Sequence, residues 1–354
     1  MKAWRVRDFG EPKDTFVLEE VAEPTPGLLA GLRMDLGGWT ERSEPSAAPG
    51  PDWVIMHMSV AALALPDVTM SRGTYPVPVR RPYISGQEGV GVVTEASPAR
   101  RHLIGKRVTA VTIQPWGSLA PVAVGVGMIF EVPGQLGDDE AAGFVIPAHT
   151  AYHAAVRRGR IEAGETVVVL GAAGGIGSAM VQLAAAIDCR VIAVVGGREK
   201  AALCRDLGAH VVIDHQAGDF VDQVRAATAG RGVDVVLDPV QGEMGERARS
   251  LLVPDGRHVM CGHAGGLKPV DPHFYVFNHT LVGATLGGYP KPEMDRIEQE
   301  SQAAIVRLLE QGRYRPVVGR CVSFDDVPDA ISEIAARNTS GRVVVRISGD
   351  RRAR

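Results

Sequence analysis

The stretch ETVVVLGAAGGIGSAMVQLAAAI, Glu165 to Ile187, decides the fold. An apolar run meets a glycine-rich turn, Gly171 to Gly177, and passes at once into a helix expected from Ile176 to Ile187. A strand without polar alternation is buried on both faces, as in a parallel sheet covered by helices. A glycine turn between such a strand and a helix lets backbone amides approach a pyrophosphate, with the helix N-terminus adding positive potential. Aligned to G-x-G-x-x-G the turn reads A-x-G-x-x-G, with Ala172 in the first place. Gly174 permits close approach to phosphates, and Gly177 lets the helix pack on the strand. The backbone of Ala173, Gly174, Gly175 and Ile176 is therefore the candidate dinucleotide cradle. The motif is weak alone and gains weight from its place inside a βαβ unit.

Outward from this unit the rhythm persists. Strands are expected at 190–195, 211–213, 233–237, 257–261 and 281–286, with helices at 198–207 and 220–227. The second strand ends VVGGREK, so the position that usually offers Asp or Glu to a ribose 2′-hydroxyl holds none. Gly197 opens the turn, and Arg198 and Lys200 offer charge to a 2′-phosphate, which favours NADPH over NADH. The alternative is that both are solvated charges opening a helix, with Glu199 between them.

Before about residue 147 the chain is rich in Pro and Gly, with short strands such as 53–60, 91–94 and 107–112, which reads as a mostly antiparallel region. Within it, residues 27–53 form a long loop-like stretch carrying Met34, Leu36, Trp39 and Trp53, expected to be ordered and to cover the active site or a partner subunit. The tail holds a polar helix (292–311), a short strand near Val317, a helix (327–337) and a last strand (342–347), whose strands can return to the first region.

The chain has 354 residues, 45% hydrophobic and 22% charged, with a net charge of −3. That is ample for two soluble domains and gives no basic field for nucleic acid or anionic lipid. No signal-peptide core or membrane-length apolar run is present, and Cys189, Cys204, Cys261 and Cys321 are scattered without C-x-x-C pairs. A reducing cytoplasm is expected, with neither nucleic acid nor membrane as partner.

The segment RPYISGQEGVGVV, Arg81 to Val93, bears on metal chemistry. A histidine at Gln87 would suggest a zinc ligand; a glutamine amide is neutral and hard, and zinc prefers thiolate and imidazole. His149 and His153 stand at i and i+4 without an H-E-x-x-H motif, and Cys261 with His263 is a two-ligand fragment without completion. No metal is expected.

The glycine loop, HTAYHAAVRRG (His149 to Gly159), DPVQG (Asp238 to Gly242) and SGRVVV (Ser340 to Val345) resemble the medium-chain dehydrogenase/reductase superfamily, within it the zinc-independent quinone oxidoreductase branch. The resemblance implies an α/β fold, a GroES-like mostly-β catalytic domain (1–147 and 286–354) interrupted by a Rossmann doubly wound parallel-sheet domain (148–285). It implies NADPH as cofactor and a homodimer formed through the strand Leu281 to Leu286. In zinc members the matching turn reads G-H-E, its histidine binding the catalytic zinc; here it reads Gly86-Gln87-Glu88, and no cysteine precedes Cys189. Without a Lewis acid, hydride delivery to an activated acceptor such as a quinone or α,β-unsaturated carbonyl remains feasible.

By the same resemblance, Tyr75 in RGTYPVP stands near the place of a tyrosine beside the substrate carbonyl, and Thr69 where some quinone reductases have a second tyrosine. Tyr75 either donates to the developing oxygen or simply packs on the wall. Thr150 matches a threonine at the nicotinamide end, and His215 a tyrosine at the adenosine phosphate. Cys261, Gly262 and His263 follow a strand at the cofactor site, and Arg342 in SGRVVV completes the cofactor set. A 2-enoyl thioester reductase is the enzymatic alternative, and an NADPH-binding sensor or structural protein the non-enzymatic one.

Overall fold

The structure is a computed structural model that describes residues 1–30, 32–35, 38–41 and 52–347. The chain separates into two units, Ile146–Val317 and Met1–Val145 with the segment from Val318 on.

The second unit is the parallel sheet expected from the glycine-loop reading. Its strands are β1 (Thr166–Leu170), β2 (Arg190–Val195), β3 (Val211–Asp214), β4 (Val233–Asp238), β5 (Leu252–Met260) and β6 (Thr280–Gly283), in the order β3-β2-β1-β4-β5-β6. Every β1 residue is buried, and Val167 lies opposite Val191 on one side and Val235 on the other. Val168, Leu170, Ile192, Val194 and Val236 form one continuous core. Helices Gly175–Ala186, Arg198–Asp206 and Phe220–Ala227 alternate with the first strands. The last is N-capped by Asp219, whose Oδ1 accepts from Val221 N at 2.9 Å. The strand order reverses between β1 and β4, so the carboxyl ends of those two strands flank the switch point where such sheets bind ligands.

One helix was not expected from the sequence, and one domain boundary differs from its expected place. A helix, Gly242–Arg249, follows β4 although GEMGERAR contains two poor helix formers. The glycines serve close packing: a Cβ on Gly245 would stand 2.2 Å from Asp238 Oδ2. The second domain boundary falls at 317/318 instead of 285/286. Helix Lys291–Glu310 belongs with the parallel sheet because its Ser301 and Gln302 bond His149 and its Glu293 and Glu300 pair with Arg157.

The first unit is mostly antiparallel. Lys2–Val6 pairs with Phe16–Glu20 and Tyr83–Ile84, while a larger sheet runs Phe130–Glu131, Arg107–Val111, Glu88–Ala96, Trp53–Leu63, Arg342–Arg346, Val318–Ser323, with Val122–Val126 also on Trp53–Leu63. The C-terminal strands return as expected: Val343 lies opposite Leu63. Trp4, Leu63, Tyr83, Leu119, Ile331 and Val343 share its core. The stretch 27–53 is not simply a loop. Leu32–Asp35 and Gly38–Glu41 pair as a hairpin with Met34 opposite Trp39. Of the side chains expected to cover the site, those of Met34, Leu36 and Trp39 lie outside the described residues, while Trp53 packs against Leu29, Ile55 and Val122.

Candidate functional site

At the carboxyl end of β1 the chain turns at Gly171 (φ +57°), and Gly174 takes the N-cap position of helix Gly175–Ala186. A Cβ at Gly177 would stand 2.2 Å from Gly171 O, so only glycine lets the helix sit this close to the strand. A Cβ at Gly174 would meet nothing nearer than 3.4 Å, so the turn is uncrowded there, although its own N–H donates to Gly171 O at 3.0 Å. The ends of β2 and β3 adjoin. Asp214 Oδ1 accepts from Gly197 N and Gln216 N, each at 3.0 Å, and these amides hold the Asp214 carboxyl below its usual range. Arg198 is exposed and has no salt-bridge partner among the described residues, Lys200 is half-buried, and His215 is exposed.

The ends of β4 and β5 form one linked pair of turns. Asp238 is fully buried; its Oδ1 accepts from Val240 N (2.8 Å) and Gln241 N (2.6 Å), and its Oδ2 accepts from His258 Nε2 (2.7 Å). Arg249 Nε donates to His258 Nδ1 at 3.3 Å, fixing the neutral ring in one tautomer. Gln241 Nε2 donates to Gly262 O, binding the DPVQG turn to Cys261-Gly262-His263. A Cβ on Gly262 would lie 2.3 Å from Pro239 O. Burial raises the Cys261 thiol and lowers the His263 imidazole, so both side chains are neutral at pH 7. Thus Ala173, Gly174, Gly175, Ile176, Gly197, Arg198, Lys200, His215, Cys261, Gly262 and His263 all follow carboxyl ends of parallel strands, the edge where ligands bind. Asp238, Gln241 and His258 escaped the sequence reading as site residues, although DPVQG stood out as a motif.

Thr150 is buried on helix Val145–Tyr152, which continues as a π-helical turn, His153–Arg158. His149 Nδ1 meets Ser301 Oγ at 2.7 Å and its Nε2 meets Gln302 Oε1 at 3.0 Å; burial pushes this imidazole down to about 4. His153 is also pushed down to about 4 by burial, beside the edge of Tyr289. The two histidines have separate partners.

In the first unit, Asp67 is fully buried, its carboxylate accepting from Ala64 N, Ser85 Oγ and Gly86 N, each at 2.9 Å. Burial nonetheless raises its pKa. Tyr75 is half-buried, and burial followed by the nearby Asp67 charge raises its phenol. Thr69 and Tyr75 do come together, but through backbone: Thr69 O accepts from Tyr75 N at 3.1 Å, while the Thr69 hydroxyl bonds back to Leu65 O and Pro66 O. Arg342, expected at the cofactor, is buried in this unit with its guanidinium on Glu88.

The family model for zinc-binding dehydrogenases matches residues 175–303, and that for the alcohol dehydrogenase GroES-like domain matches 50–137. A quinone oxidoreductase of Lama guanicoe is 25% identical over 98% of this chain and 97% of its own. The chain belongs to the medium-chain dehydrogenase/reductase superfamily. A phenolphthiocerol/phthiocerol polyketide synthase subunit of Mycobacterium tuberculosis is 33% identical over 84% of this chain and 14% of its own length. The quinone oxidoreductase of Thermus thermophilus, solved also in complex with NADPH, is similar with a TM-score of 0.75, 28% identity and coverage of 98% and 100%.

The Gly86-Gln87-Glu88 turn, where the resemblance implies a histidine in zinc members, carries none. The Gln87 amide donates to Met70 Sδ, and Glu88 is buried against Arg342. Neither offers zinc an imidazole or thiolate, and among the described residues no three His, Cys, Asp or Glu side chains group to hold a metal ion. The turn does not fit zinc.

Proposed function

We propose that this protein is an NADPH-dependent, zinc-independent reductase that delivers hydride to a quinone or another α,β-unsaturated carbonyl. The end of β2 carries the reading. No carboxylate stands at 196–198, Asp214 Oδ1 is occupied by Gly197 N and Gln216 N, and Arg198 is exposed for a planar contact with a 2′-phosphate. The uncrowded turn at Gly174, at the N-terminus of helix Gly175–Ala186, suits a pyrophosphate, which the backbone from Ala173 to Ile176 would hold. Lys200 and His215 would flank the adenosine phosphate, and Thr150 with the backbone of Cys261, Gly262 and His263 the nicotinamide. NADPH supplies the hydride when bound. The chain's own part is to orient the acceptor and to donate to the oxygen on which charge develops. Tyr75 fits that role, because burial and the Asp67 charge keep its phenol protonated.

The likeness to quinone oxidoreductases supports this acceptor class. The 33% match to a polyketide synthase subunit favours a second reading, reduction of a 2-enoyl thioester. Anaerobic NADPH oxidation against para- and ortho-quinones, 2-enals and enoyl-CoA thioesters separates the two. Quinone turnover is expected; tight NADPH binding without oxidation across the panel would turn the reading to a sensor or structural protein.

We also propose a homodimer through β6, the last strand of its sheet, with β5 on one side. Leu267, Tyr275, Val276 and Phe277, in the segment before β6, are more than half exposed, an apolar group suited to a second copy of the same surface.

A further inference from the structure

Around the Gly86–Glu88 turn, two glutamine side chains converge on one sulfur. Gln87 Nε2 donates to Met70 Sδ, and Gln114 Nε2 approaches the same atom at 3.9 Å. A thioether is a weak acceptor, so neither amide has a partner that matches its donor strength. Gln114 is only 8% exposed, and its Oε1 has no hydrogen-bond partner among the described residues. A buried amide oxygen left unpaired costs about 1–3 kcal/mol, so such a site calls for an occupant. The surrounding backbone is fixed. Asp67, on helix Leu65–Ser71 with Met70, binds Gly86 N and Ser85 Oγ, and Thr112 N donates to Gln87 O at 2.8 Å.

We infer that Gln87 and Gln114 form a subsite for the oxygen of a carbonyl compound, with the two amide N–H groups displaced from Met70 Sδ onto the ligand. The same subsite accepts the reduced ligand, because Gln114 Oε1 can accept a hydrogen bond from an O–H, whereas its amide N–H donates to a C=O. The pair suits a group that begins as an acceptor and ends as a hydroxyl. Being neutral, it does so without repelling charge that develops on the oxygen. The choice of ligand rests on the reductase reading; the site itself does not.

The test is equilibrium binding without NADPH, by titration calorimetry, of 1,4-naphthoquinone, 1-naphthol and naphthalene to the full chain and to Gln87→Leu and Gln114→Leu. Gln114→Leu is expected to weaken naphthoquinone and naphthol by about tenfold, and Gln87→Leu to weaken naphthoquinone similarly. Naphthalene affinity should hold, and the thermal midpoint of Gln114→Leu should rise, because the unpaired buried oxygen is gone. The conservative Gln114→Asn is the second variant should Gln114→Leu fail to fold, with the same expected loss because its amide is set back by one methylene. Equal affinity of all variants for the oxygenated ligands, or a wild-type chain that binds naphthoquinone no better than naphthalene, would overturn the subsite. Wild-type binding with the expected losses but no NADPH oxidation leaves the subsite standing and removes the reductase reading. Oxidation of NADPH with acceptor KM unchanged in both variants does the reverse.

Discussion

At the scale of single residues, contact geometry sets what can be substituted. Gly177→Ala places a methyl group 2.2 Å from Gly171 O, a backbone atom that cannot step aside. The expected loss is about 1–3 kcal/mol in urea unfolding, together with weakened cofactor binding because the turn must shift. Arg198 is solvent-exposed, so Arg198→Ala should leave stability within about 0.5 kcal/mol. The same change should raise KM for NADPH at least about tenfold while KM for NADH holds, since a charge-assisted contact is lost for one cofactor alone. Steady-state kinetics with both cofactors reads this. These positions were legible because a glycine loop and a strand end are local in sequence. Asp238 with His258, and Met70 with Gln87 and Gln114, were not, because their partners lie 17 to 44 residues apart and meet only on folding.

At the scale of elements, β1, β2 and β4 were legible to within a residue because their buried runs are almost unbroken by polar residues. By contrast, β5 starts at Leu252 instead of 257, with Pro254 and Asp255 exposed, and β6 ends at Gly283 instead of 286. Helix Phe220–Ala227 matches its expected bounds, and its amphipathic spacing explains why. Helix Gly242–Arg249 was hidden by glycines kept for close contact, and Lys2–Val6 and Phe16–Glu20 by their charged, half-exposed faces. Helix Lys291–Glu310 was visible as a helix, while its unit was not, since that depends on His149. This histidine predicts a pH dependence. Its pKa is about 4 when folded and near the usual 6.5 when unfolded, so only the unfolded chain gains a proton between those values. Stability should be flat above pH 6.5 and fall by at most about 3 kcal/mol on acidification to pH 4. Thermal melts across that window should show a shallower slope in His149→Gln.

At the scale of the whole molecule, a mostly antiparallel unit made of two chain segments and a parallel six-stranded unit divide the work. One carries Tyr75, Gln87 and Gln114, the other the glycine loop and Arg198. Phe277→Glu with Val276→Glu alters side chains that are exposed in the single chain, so by light scattering the proposed dimer should become a monomer, with a thermal midpoint that no longer depends on protein concentration. The first measurement to make is kcat/KM for NADPH and for NADH with one para-quinone under anaerobic conditions, before and after prolonged treatment with a zinc chelator. A preference for NADPH of about tenfold or more, unaltered by the chelator, is the expected result. Equal use of both cofactors, or activity that falls with the chelator and returns with zinc, would contradict it.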